Sequence, residues 1–289
     1  MGNTVKLIFN VFKLRIGIVI GFTALAGIAV TPGPALAAWQ IAVLGLAVLV
    51  SSASAGAFNQ YYERDLDIQM KRTQRRPFVV GAFNADWRWP ALIGAMVVGS
   101  TAAAALALNP WAALYTFLGA FFYAIVYTVW LKRRSWMNIV IGGLSGALPP
   151  AIGWAAVTGH LSLAPLVLVA IIFMWTPPHF WALALYRKNE YAKAGVPMLP
   201  VTHGDRFTRL HVLLYTLILI AVTLLPFATR MSGVLYMVSV VALDAVFLYY
   251  AVRIYRDYSD RIAQTTFRYS ILYLMLLFTA LLLDHYLVA

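Results

Sequence analysis

The chain is written in long apolar blocks separated by short polar ones. A bilayer core about 30 Å thick is crossed by roughly 20 apolar residues in a helix, and blocks of that length recur along the whole sequence. They predict nine spans, at 14–31, 40–60, 90–108, 111–131, 138–157, 164–185, 210–228, 233–254 and 268–287, the third and fourth joined through a turn at Asn109-Pro110. The expected fold is all-α: a polytopic membrane protein with nine transmembrane helices in one bundle, forming a single domain over 1–289.

The polar blocks set the expected orientation. Of the 22 Lys and Arg, all but Arg230 fall in the N-terminal segment or in the second, fourth, sixth and eighth connections. By the positive-inside rule those segments are cytoplasmic, so the N-terminus is inside and the C-terminus outside. Lys6, Lys13 and Arg15 ahead of the apolar run, with Ala35-Leu36-Ala37 after it, would also fit a cleaved signal peptide. Ile16–Val30 is at the long end for such a peptide, and retaining it keeps the alternation of loops intact. The segment before the first span is short and poor in Ser and Arg for an organellar presequence, which points to a bacterial cytoplasmic membrane.

Composition narrows the function classes. Hydrophobic residues make up 62% of the chain and charged ones 11%, against about 25% charged in soluble domains. The net charge of +12 sits in short loops, where it suits anionic lipid or an anionic substrate better than nucleic acid. With no cysteine, disulfides, thiolate metal sites and cysteine nucleophiles are excluded. Gly142, Gly143, Ser145 and Gly146 allow close helix approach in the fifth span, which is expected to bend at Pro149-Pro150. Pro177-Pro178 is expected to break the sixth span just before His179.

The candidate chemistry lies where the second span ends. If that helix continues past the membrane edge, Asn59, Glu63 and Asp67 stand at i, i+4 and i+8 on one face, and Asp65 points away. An amide and two carboxylates are hard oxygen ligands suited to Mg²⁺ that also bridges phosphates. Lys71, Arg72, Arg75 and Arg76 follow at once and suit anionic oxygens. The connection after the sixth span carries Arg187, Asn189, Glu190 and Lys193, and Glu63 and Glu190 are the chain's two glutamates. A two-metal site with one ion on each loop is the economical arrangement. Asp244 is an intramembrane acid in the eighth span, either functional or hydrogen-bonded to a neighbour, whereas His160, Asp284 and His285 are expected at the outer surface.

Taken together, Asn59–Pro77, Tyr127–Trp154, Trp175–Leu185 and Tyr191–Val201 resemble the intramembrane prenyltransferases of the UbiA superfamily. Their signature is an N-x-x-x-D-x-x-x-D face answered by an acidic motif after the sixth span. Here Glu63 replaces the first Asp of that face, and Asn189 stands where the second motif usually has Asp. Within the superfamily the four segments are most similar to the branch that farnesylates haem b. That resemblance implies farnesyl diphosphate and haem b as substrates, addition of water, and Mg²⁺ as cofactor, held by Asn59, Glu63, Asp67, Asn189 and Glu190. It also implies that Lys132 and Arg133 lie beside the diphosphate, that Lys71, Arg72, Arg187 and Lys193 bind anionic groups of either substrate, and that His179 orients haem. Membrane lipids and a haem-modifying or oxidase-assembly partner complete the expected contacts. Two other readings remain: a UbiA-type transferase acting on a quinone or chlorophyll precursor, and a transporter. A transporter would place its acids near the bilayer midplane, but nearly all of them sit at the basic edge here.

Overall fold

The computed structural model describes residues 2–160 and 162–287, and among them every regular element is helical. Helix α1 (Gly2–Val11) meets α2 (Leu14–Ala29) at a bend of 54°. After α3 (Ala38–Tyr62) comes the single turn α4 (Arg64–Asp67), then α5 (Arg88–Ala107). The fourth span is α6 (Pro110–Phe121), continued by a π-helical stretch over Phe122–Leu131. Three short helices, α7 (Asn138–Gly142), α8 (Leu144–Ala147) and α9 (Pro149–Thr158), make the fifth. The sixth is α10 (Leu166–Tyr186), and α11 (Lys188–Lys193) and α12 (Leu199–Thr202) lie in the connection after it. The last three spans are α13 (Gly204–Thr223) with α14 (Leu225–Ala228), then α15 (Val234–Arg256) and α16 (Asp260–Leu287). Among the described residues eight spans are long and apolar enough to cross a membrane alone, and the bent α1–α2 pair makes a ninth if the two helices are counted as one span.

In a bilayer apolar side chains gain little by hiding from lipid, so helices associate through close packing of small residues. The buried face of α3 follows that rule with Ser51, Ala53, Ser54, Ala55, Gly56 and Ala57. Large apolar side chains such as Val98, Leu106, Val238 and Val241 point outward. The closest approach is between α2 and α9. A Cβ on Gly27 would lie 2.3 Å from the Pro150 carbonyl oxygen, and one on Gly153 would lie 2.1 Å from that of Ala24. Asn109 ties the same region together: its side-chain oxygen caps α6 by accepting from the amides of Trp111 and Ala112, and its Nδ2 donates to the carbonyl of Ala155 at 2.8 Å.

Two expectations are corrected here. Pro177 and Pro178 do not break the sixth span, because α10 runs through both to Tyr186. Proline's fixed φ suits a helix, and the neighbouring helices α13 and α16 hold the segment in place. Asp284 is buried rather than on the surface. It accepts from the Ser232 hydroxyl (2.6 Å), from the Gly233 amide and from the Tyr236 amide (3.1 Å), capping α15 and tying it to the end of α16. Asp244 proves to be a packing residue, accepting from Thr223 at 2.8 Å and from Tyr273 at 2.6 Å across three helices.

Because the α2–α9 contact is backbone on backbone, Gly153→Ala must push the helices apart. We expect a loss of about 1–3 kcal/mol, read as a lowered midpoint of thermal unfolding in detergent. Gly45→Ala, whose Cβ would meet nothing within 4 Å, should leave the midpoint unchanged or raise it.

Candidate active site

The site begins with the backbone of α3 and α4. The Glu63 amide donates to the Asn59 carbonyl at 3.0 Å, and the Asp67 amide donates to the Glu63 carbonyl at 2.9 Å. These two i to i−4 bonds bridge the helix break at Glu63 and put Asn59, Glu63 and Asp67 on one face. All three are enclosed, with Glu63 and Asp67 at 0% exposure. Asp65 points the other way, as its spacing predicts, and pairs with Arg133 through two contacts of 2.7 and 2.8 Å near solvent.

A carboxylate taken out of water must find a counter-charge, and three distant segments supply one each. Lys132 Nζ bonds Glu63 Oε2. The guanidinium of Arg76 grips both Asp67 oxygens, at 2.9 and 2.7 Å. Lys13 Nζ donates to Asn59 Oδ1 at 2.8 Å and to the Tyr123 hydroxyl at 3.0 Å. Asn59 Nδ2 then donates to Thr128 Oγ1 at 3.1 Å, so every functional atom of that amide is directed. Of the side-chain oxygens of Asn59, Glu63 and Asp67, Glu63 Oε1 is the one buried without a partner.

Local geometry explains how these groups arrive. Lys13 occupies the bend between α1 and α2 with φ of 48° and ψ of 39°, a left-handed conformation uncommon for a residue with a side chain. Its stem runs past Gly56, where a Cβ would meet it at 3.3 Å. In the π-helical stretch the Lys132 amide bonds the Tyr127 carbonyl, five residues back. That wider turn returns Tyr123, Thr128 and Lys132 to one side, whereas α-helical winding would splay them. Thr73 Oγ1 donates to the Asp67 carbonyl at 3.0 Å and folds the chain back so that Arg76 faces Asp67.

The electrostatics follow from burial. Desolvation pushes the Asp67 carboxyl above its ordinary pKa, opposed by the Arg76 guanidinium and by Lys132. Arg133 holds the exposed Asp65 below the usual carboxylate range. Burial raises the Tyr191 hydroxyl, while the positive charge of nearby Arg72 pulls it down. Arg76 and Lys132 thus pair with the two carboxylates and Lys13 meets the Asn59 amide beside them, a set of basic side chains that suits an anion.

The expected site residues do not all converge. Lys132 joins the cluster, but its neighbour Arg133 turns outward to Asp65. Arg72, Lys71 and Lys193 are all exposed, Arg72 lying near Tyr191. Glu190 pairs with Arg187 one turn away, and Asn189 is exposed. Among the described residues no group of three His, Asp or Glu stands close enough to hold an ion. The two loops do meet, but through an apolar cluster of Leu66, Met70, Tyr191, Ala194, Val196 and Met198. His179 lies elsewhere, buried between α10 and α16. Sequence reasoning missed Lys13, Arg76 as the partner of Asp67, Tyr123 and Thr128. The one signal for Tyr123 was its place in the Tyr-rich end of the fourth span, and Lys13 reads from sequence only as a topology marker.

A buried Asn-Glu-Asp face met by basic side chains, at one end of a bundle of long apolar helices, is the arrangement of an intramembrane enzyme. The UbiA prenyltransferase family profile matches residues 20–282, and the chain belongs to that family. It is 52% identical over 288 residues to protoheme IX farnesyltransferase of Nitrosospira multiformis, covering 98% of this chain and 95% of the relative. It is 54% identical over 283 residues to the protein of that name from Aromatoleum aromaticum, covering 95% and 90%. Among solved structures, that of digeranylgeranylglyceryl phosphate synthase superposes with a TM-score of 0.81 at 13% identity, covering 98% of this chain and 99% of the other. A UbiA homologue from Archaeoglobus fulgidus bound to DMAPP and Mg²⁺ gives 0.66 at 15% identity, covering 95% and 98%. At those identities the likeness is one of fold.

Removing one member of a buried ion pair strands the other. Lys132→Met should therefore destabilise the protein by about 3–5 kcal/mol, and adding Glu63→Gln should recover most of that loss. Arg133→Gln, which breaks the solvent-facing pair, should cost less than about 1 kcal/mol. Thermal unfolding of the four proteins in one detergent checks all three statements.

Proposed function

We propose that this chain transfers the farnesyl group of farnesyl diphosphate to a vinyl group of haem b, with addition of water, releasing diphosphate. The observation that carries the diphosphate half is the buried Asn59–Glu63–Asp67 face, each member met by its own cation. The haem half is supported by relatives at about half identity over nearly the full length, which bear the name protoheme IX farnesyltransferase.

The donor set fits Mg²⁺: one amide and two carboxylates, hard oxygens, with Glu63 Oε1 still unpartnered. Asn59, Glu63 and Asp67 would hold the ion, which when bound supplies charge stabilisation of the leaving diphosphate. Lys13, Arg76 and Lys132, which stand on this face, would bind the remaining phosphate oxygens, with Arg72 near Tyr191 as a further candidate. Glu190, paired with Arg187, and the exposed Asn189 and Lys193 lie on the second loop outside this hydrogen-bonded cluster and remain candidates for contact with the substrates.

The chemistry needs no protein nucleophile. The allylic C–O bond breaks with its electron pair going to the diphosphate oxygen, so negative charge grows where the cations stand. The vinyl π-electrons then form the new C–C bond at the allylic carbon, and water adds to the resulting cation and loses a proton. Tyr123 and Tyr127, with ring centroids 5.5 Å apart, present π-faces beside the cluster that favour positive charge. The basic edge faces the cytoplasm of a bacterial cell, and the whole chain serves as one prenyltransferase domain in contact with membrane lipids.

Incubating the purified protein with haem b, farnesyl diphosphate and Mg²⁺ should yield a farnesylated, hydrated haem by mass analysis. A prenylated quinone precursor in a parallel assay, with haem unmodified, would replace this reading by another acceptor. At the site, Glu63→Gln and Asp67→Asn should each lower turnover by at least about a hundredfold while the protein stays folded. Full activity in both would remove the metal assignment.

A further inference from the structure

The connection after the seventh span carries Arg230, the one Lys or Arg outside the N-terminal segment and the basic loops. Its backbone is left-handed, with φ of 58°. The cause is the way α14 ends. The Met231 amide donates to the Pro226 carbonyl at 2.8 Å and the Arg230 amide to that of Phe227 at 3.0 Å, the paired bonds of a Schellman cap. Such a cap holds the first residue past the helix in the left-handed region, where glycine fits freely and a side chain is strained. Positive charge on this side of the bundle also runs against the bias that sets topology. What distinguishes Arg230 from the glycine usual at such a position is a long cation.

Arg230 lines a cavity of about 460 Å³ where the last three spans end, and Asp284 lines the same cavity. The Asp284 carboxylate accepts from the Tyr236 amide on Oδ1, and from the Ser232 hydroxyl and the Gly233 amide on Oδ2. An ionised carboxylate oxygen accepts two bonds, so Oδ1 has capacity to spare. Gly233 leaves room beside that oxygen, since a Cβ there would stand 3.2 Å from it. Among the described residues no ion pair joins Asp284 to Arg230. One cavity therefore holds a guanidinium and a carboxylate that do not neutralise each other. Phe227 in its wall, and Val234 and Leu283 next to wall residues in the chain, are exposed apolar side chains of the kind that meet lipid.

We propose that this cavity binds the phosphoethanolamine headgroup of a membrane phospholipid, with Arg230 on the phosphate and Asp284 on the ammonium. A guanidinium offers paired N–H donors that match phosphate oxygens. A headgroup with negative charge alone, such as phosphoglycerol, would satisfy Arg230 but bring no cation to Asp284. A trimethylated ammonium carries the charge without an N–H for Oδ1. A primary ammonium beside a phosphate meets both groups. Position favours a lipid over a soluble ester, because acyl chains attached to a headgroup held there run along the apolar faces of the last three spans. The site shares no residue with the Asn59–Glu63–Asp67 face, and the inference does not depend on which acceptor is prenylated.

Native mass spectrometry and thermal unfolding of the delipidated full-length protein in detergent test this directly. The probes are phosphatidylethanolamine, phosphatidylglycerol and phosphatidylcholine with identical short acyl chains, and free phosphoethanolamine. Phosphatidylethanolamine should occupy one saturable site and raise the unfolding midpoint, with the other two lipids binding about tenfold more weakly or less. Arg230→Gln should weaken phosphatidylethanolamine by a similar factor. Arg230→Gly separates binding from folding: it relieves the left-handed backbone, so the lipid-free midpoint should rise while the gain from phosphatidylethanolamine disappears. Equal binding of the three lipids, or no saturable binding of phosphatidylethanolamine by wild type, would overturn the inference. So would either Arg230 variant binding that lipid like wild type. Free phosphoethanolamine that binds as well as the lipid would overturn the lipid assignment in favour of a soluble phosphate ester.

Discussion

Two carboxylates carried out of water, Glu63 and Asp67, impose the central constraint on this fold. An ionised carboxylate in so dry a place persists only with a partner of opposite charge in good geometry. Meeting that demand draws in Lys132 from the fourth span and Arg76 from the loop after the second. Asn59, on the same face, takes Lys13 from the bend before α2. Several irregular features then have one cause. The left-handed backbone at Lys13, the missing side chain at Gly56 and the π-helical turn before Lys132 each bring a cation to an oxygen.

The basic residues consequently have different fates although they look alike along the chain. Arg133 and Lys188 make solvent-facing pairs with Asp65 and Asp205, of the kind that contribute little to stability. Lys132, Arg76 and Lys13 sit inside the carboxylate cluster, where charge is felt strongly. Arg187 pairs locally with Glu190 one turn away, which keeps the second loop folded as α11. Net charge alone says nothing about this division.

Two buried polar regions of the bundle are held by different means. Around Glu63 and Asp67, rigidity comes from ion pairs. Around His179 it comes from stacked aromatic rings and a single chain of hydrogen bonds linking α10 to α16. Neither site draws on Asp244 or Asp284, whose hydrogen bonds lock the last three spans to one another.

The long apolar spans, eight of them or nine with the bent α1–α2 pair among the described residues, and the shared face of Asn59, Glu63 and Asp67 were legible in the sequence, as was the outward turn of Asp65. All of these are properties of one helix at a time, set by apolar length and by the helical repeat. The family was legible too, because its motifs lie within continuous segments. What the tertiary structure decided is which distant groups meet. Lys13 and Asn59 are 46 residues apart, and Lys132 and Glu63 are 69 apart. Helix packing and a local change of winding, neither written in residue spacing, bring them together. The same holds for the split of Lys132 from Arg133, the burial of Asp284 and the continuity of α10 through Pro177-Pro178. At Asn59–Asp67, spacing along the helix chose the oxygens, and only the packing of the bundle chose the cations that face them.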